Sequence, residues 1–164
     1  MKQLLMGFFL LLSIAGQAGT LSVNFSLRPV GYFLGTTAAL QGHVQREGES
    51  YVGFDIKVPV SELKTGNALR DRKLKERLEN ESVAFLDRPT GRDGVFEGIL
   101  NFRGQSHKLK GTYRVEGFQF IAQFELSLTE LGLGALEYHG VKVLDSLKIQ
   151  AALPILSRVP SSAL

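Results

Sequence analysis

Five cations crowd one stretch of this chain: Arg70, Arg72, Lys73, Lys75 and Arg77, interleaved with Asp71 and Glu76. Cations so spaced can receive an anionic head group, and arginine suits phosphate because its planar fork donates two parallel hydrogen bonds. The same run also fits a solvated helix face, balanced by Asp71, Glu76 and Glu79. Other chemistry fails on spacing. His43, His107 and His139 lie far apart with no i,i+4 pair, and there is no cysteine, so no metal site is expected. Gly104-Gln105-Ser106-His107-Lys108 lacks the final glycine and the strand-to-helix elbow of a nucleophilic serine, and reads as a hairpin turn. Gly132-Leu133-Gly134 lacks the third glycine of a dinucleotide loop. No catalytic constellation assembles and no cofactor is called for, so the expectation is a binding protein and not an enzyme.

The elements that must position the cations are mostly strands. Leu21, Val23, Phe25 and Leu27 alternate with polar residues, as do Val52, Phe54, Ile56, Val58 and Val60. The pattern returns at Phe118, Phe120, Ala122, Phe124 and Leu126, and at Leu147, Ile149, Ala151 and Leu153. Period two marks a sheet with one apolar and one wetter face. Glu47-Gly48, Asp93-Gly94, Gly104-Gln105 and Glu116-Gly117 supply close-set turn signals, so sequential strands pair antiparallel. About eight such strands leave two open edges unless the sheet closes, and closure predicts one antiparallel β-barrel. Phe54, Ile56, Phe102, Phe120 and Phe124 are expected to point inward together. Whether inward residues fill the barrel or line a cavity stays open at this size. Gly35, Gly42, Gly53, Gly98 and Gly111 either bend strands or leave room for a ligand.

The charged stretch interrupts this meander. Asn67 suits an N-cap, Asp71 suits the positive end of a helix dipole, and Leu74 with Leu78 forms a narrow apolar stripe. One short helix is therefore expected near residues 67–79, resting an edge on the barrel.

The N-terminus reads as a leader. Lys2, the apolar run Leu4 to Ile14 and the small residues up to Ala18 predict a signal peptide over 1–18, cleaved before Gly19. The run is shorter than the roughly 20 residues a spanning helix needs. A single barrel domain over 19–156 and a loose tail over 157–164 complete the expected organisation, with a periplasmic or secreted location. Without cysteine, disulfides and thiolate metal sites are excluded, and the core alone must hold the fold. Net charge is +3, and its cations are spread over many turns. That allows a transient contact with a membrane surface and demands no nucleic acid.

Three blocks are similar to the YceI-like family of exported, lipocalin-like barrels that bind isoprenoids and other lipids. They are Ser61 to Asp71, with its Leu-x-Thr-Gly-x-x-x-Arg-Asp pattern, then Phe96 to Gly104, a strand ending in a turn, and Phe124 to Ile155. The chain is a divergent member by this resemblance. Lys73 stands where relatives usually carry His after Arg-Asp-x, Arg103 stands for the His before the turn glycine, and the Lys-Tyr-Pro element is missing. The resemblance implies a barrel holding an amphiphilic lipid or isoprenoid. The tunnel would be lined by Val23, Phe25, Phe54, Ile56, Val58, Phe96, Leu100, Phe102, Phe118, Phe120, Phe124, Leu147 and Ile149. Arg70, Lys73 and Arg103 would meet the head group. The rival expectation is a filled barrel that docks a partner and holds no ligand.

Overall fold

A computed structural model describes residues 18–78 and 84–157. The expected leader and the expected loose tail lie outside the described residues, save for Ala18 and Ser157. Seven strands follow one another as a meander: β1 (Gly19–Arg28), β2 (Tyr32–Glu47), β3 (Ser50–Val58), β4 (Ala84–Arg92), β5 (Val95–Phe102), β6 (Gln105–Glu116) and β7 (Gln119–Ser127). A small hairpin, β8 (Glu137–Tyr138) and β9 (Val141–Val143), leans on the end of β1, and β10 (Ser146–Leu156) returns to the wall. β10 pairs antiparallel with both β7 and β1, which closes an eight-stranded barrel as the alternation predicts. Past the start of β1, the end of β10 reaches β2 in a short parallel pairing, Ile155 opposite Val44.

The turns follow from local chemistry. Asp93-Gly94 and Arg103-Gly104 each place two successive residues at positive φ, the geometry of the tight hairpin turn that matches strand twist. Turns β2–β3, β4–β5 and β6–β7 gather at one end of the barrel, which we call the hairpin end. The opposite end carries α1 (Ala68–Leu78), preceded by a 3-10 turn at Val60–Glu62. Asn67 caps α1 as expected, its Oδ1 accepting from the Arg70 N–H at 3.0 Å. No helix among the described residues is long and apolar enough to cross a membrane.

Two inward assignments fail, each for a local reason. β3 carries a bulge at Asp55 (φ 52°), with the register of β2–β3 shifting between Gln41 and His43. One extra residue reverses the alternation, so Gly53 and Ile56 are buried while Phe54 stacks on the His43 ring, centroids 5.5 Å apart, away from the barrel cavities. Gly42 sits opposite with φ 111°, where a Cβ would lie 2.8 Å from the Ile56 backbone. Phe118 falls in the β6–β7 turn and is 84% exposed, because β6 runs on through Glu116 and β7 begins only at Gln119. The space left by Gly53 and Gly98 is taken by Pro89, whose ring atoms would lie 2.6 Å and 3.0 Å from an added Cβ. These two glycines make room for the wall itself.

Candidate ligand-binding site

The barrel interior is almost wholly apolar, Tyr51 and Thr90 being the polar side chains that line it, and holds two adjoining cavities, with Leu21, Val58, Leu100 and Phe124 lining both. The larger, about 100 Å³, lies under α1 and has no polar side chain in its lining. Val23, Phe25, Phe102, Leu147 and Ile149 supply its strand walls. The smaller, about 60 Å³, lies toward the hairpin end between Ile56, Phe96 and Phe120. Eleven of the thirteen expected tunnel residues therefore face the interior, Phe54 and Phe118 being the exceptions.

The helix end is closed by side chains that the strand pattern did not single out. Leu74 and Leu78 project from α1, and Leu128, Leu131 and Leu133 from the segment after β7, all into the larger cavity. That segment is folded on itself by Leu131 N–H to Ser127 O (3.0 Å) and Leu133 N–H to Leu128 O (3.0 Å). Asp145 anchors one side of it. Its carboxylate accepts from the Ser127 hydroxyl, the Thr129 hydroxyl (2.6 Å) and the Thr129 N–H (2.9 Å). The Arg77 guanidinium holds the other side, donating to Leu133 O at 3.0 Å and Ala135 O at 2.9 Å. Arg103, expected at a head group, instead sits in the β5–β6 turn and donates to Gly132 O at 3.3 Å. Helix and segment together form a cap.

Arg70 is also committed to the protein. Its guanidinium lies 4.2 Å over the Phe33 ring, which stacks on Phe25 at 4.6 Å, so three planar groups run from the helix start to the cavity wall. Asp71 fixes the turn into α1 by accepting from the Thr65 hydroxyl (2.6 Å) and N–H (2.8 Å). Those bonds, the hydroxyl's first, hold its carboxyl below the ordinary 3.8. The Ser127 and Thr129 hydroxyls likewise lower Asp145. Lys73 stands exposed on the cap, one residue before Leu74. Among the described residues no cluster of acidic, His or Cys side chains is placed to hold a metal ion.

The model of the YceI-like domain matches residues 17–154. The chain belongs to the YceI-like family. A comparison with curated proteins gives no match. Two solved structures share the fold of this YceI-like chain. One is a polyisoprenoid binding domain from Saccharophagus degradans implicated in plant cell wall breakdown, 13% identical, covering 83% of this chain and 92% of its own, with TM-score 0.55. The other is BcnA of Burkholderia cenocepacia, 12% identical, covering 82% of this chain and 94% of its own, with TM-score 0.59. At such identity the likeness is one of fold. The YceI-like barrel here has an apolar interior beneath a cap whose helix carries Arg70, Arg72, Lys73, Lys75 and Arg77.

Proposed function

We propose that this YceI-like protein is an exported carrier that holds an elongated apolar or amphipathic molecule, with an isoprenoid-type lipid as the leading class and no reaction performed on it. The supporting observation is the pair of adjoining apolar cavities beneath a cap fastened by a few side-chain bonds. The polyisoprenoid binding named for one structural relative supports the ligand class. Affinity comes from tail burial, at about 25 cal/mol per Å² of apolar area before ordering costs. Ligand pockets usually run from about 300 Å³ upward, so loading requires the cap leucines to swing aside and the interior to widen. On this reading Lys73, exposed on α1, meets a head group emerging beside the cap.

The modest cavity volumes favour one alternative, a filled barrel serving as an interaction module. Organic extraction of protein purified from its native host, followed by mass spectrometry, separates the two. Stoichiometric prenyl lipid is expected from the carrier. Protein that yields no lipid and fails to take up added prenyl alcohol is a filled barrel. N-terminal sequencing of the same sample tests export: the chain should start at Gly19, and a start at Met1 would refute that location.

A further inference from the structure

The rim at the helix end carries an apolar projection that the barrel does not use. Between β1 and β2 the chain turns through Pro29-Val30-Gly31, leaving Val30 83% exposed and Tyr32 66% exposed. Leu34, on the same face of β2 as Tyr32, is 43% exposed, and Leu69 at the start of α1 is 40% exposed. Beside the tip, Arg28 of β1 stands directly opposite Lys142 of β9 in the register. Like charges placed opposite each other across strands are destabilising. Among the described residues the acid ion-paired to this couple is Glu137, 3.8 Å from Lys142, with both side chains about half or more in water. From Gly19 to Arg46 the sequence has no acidic residue at all. An external anion would relieve the repulsion.

The hairpin end provides the control within the same molecule. It also exposes a large apolar side chain, Phe118, but Arg92 is met by Glu49 and Asp93, Arg114 by Glu116 at 2.6 Å, and Arg46 donates to Gly48 O at 3.0 Å. Protruding apolar side chains coincide with two cations facing each other across strands and sharing the one acid Glu137 at the helix end, and not at this one.

We infer that the Pro29–Tyr32 tip with Arg28 and Lys142 is a docking surface for an anionic lipid bilayer. Val30 enters the acyl boundary, Tyr32 sits at the interface where its ring is apolar and its hydroxyl wet, and the two cations meet lipid phosphates. A convex tip suits a soft bilayer better than a preformed protein groove. With so few cations the attachment is reversible, as polybasic attraction scales with their number. Docking this way turns the cap toward the membrane. The inference stands apart from the ligand reading, because it concerns the outer surface.

Flotation with vesicles of phosphatidylcholine, alone or with about 30% phosphatidylglycerol, tests it on ligand-free protein. The protein should float with the anionic vesicles about fivefold more than with the neutral ones, and less as salt rises. Val30→Asp with Tyr32→Ser should cut that binding about tenfold. Arg28→Glu with Lys142→Glu should abolish the preference for anionic lipid, and Phe118→Ser should change nothing. Circular dichroism confirms that each exposed-site variant is folded, and the single Val30→Ser replaces any that is not. No flotation, equal flotation with both vesicles, or a loss on Phe118→Ser matching that of the tip variants would each overturn the inference.

Discussion

The two ends of the barrel are shut by different means. At the hairpin end, Tyr51, Tyr113 and Phe120 close on one another, with Tyr113 stacked on Phe120 at 4.5 Å and Tyr51 tilted against Phe120 at 5.6 Å. All three belong to strands, so this closure moves only if the wall moves. At the helix end, five leucines are carried by α1 and the segment after β7, and their placement depends on Arg77, Arg103 and Asp145. Ring packing between paired strands is part of global stability, whereas a cap fastened by exposed side-chain bonds opens at lower cost. One apolar interior thus has a fixed floor and a removable roof.

That contrast is breakable by experiment. Phe120→Ala removes the centre of the floor and should cost about 3–5 kcal/mol of unfolding free energy in a urea titration. If uptake of a prenyl lipid also accelerates, the floor is an entrance and the distinction between the ends collapses. Lys73→Glu, on the roof, should leave stability nearly unchanged. It should weaken an anionic amphiphile by about 1.5–3 kcal/mol, while an uncharged analogue with the same tail changes little, as measured by calorimetry. Equal effects on both ligands would make Lys73 ordinary solvated surface.

Smaller effects sharpen the account of the roof. Arg77→Met should lower global stability by only about 1 kcal/mol, since the bonds it removes are partly in water. Amide exchange at Leu131 and Leu133 should nonetheless quicken while strand amides stay protected. Acid acts on the same parts. Asp71 and Asp145 both have carboxyls lowered by folding from 3.8. Their stabilisation is present above that value and is lost as pH falls through the lower folded values. The cap should loosen below about pH 4, and Asp145→Asn should flatten the stability–pH slope there. An unchanged slope would remove Asp145 from the fastening.

Most of the wall was legible in sequence; most of the roof, and Tyr51 and Tyr113 of the floor, were not. Period-two alternation through Val23 and Phe25, Phe120 and Phe124, or Leu147 and Ile149 depends only on neighbours, so the inward face can be read directly. It failed at Phe54, where the Asp55 bulge adds a residue, and at Phe118, where a turn begins one residue later than the pattern suggests. Asn67 and Asp71 were legible for the same local reason, since a helix cap and its turn lie within six residues. Arg77 and Arg103 donate to backbone carbonyls of distant segments, and a carbonyl is offered by every residue. Such a contact leaves no pattern in side-chain types. The clue for the roof was Leu128-x-x-Leu131-x-Leu133, whose spacing fits neither a strand nor a continuing helix.

The stack of Arg70 on Phe33 on Phe25 couples the roof to the wall in a way that can be watched. Protons held over an aromatic face are shielded by its circulating electrons, so the Arg70 side-chain resonances should lie upfield of those of an ordinary surface arginine. The guanidinium is 4.2 Å from the ring centroid, and a tilt of α1 large enough to admit a chain would slide it off the face. The native arginine is then its own spectroscopic gauge of whether the barrel is open, with no label attached.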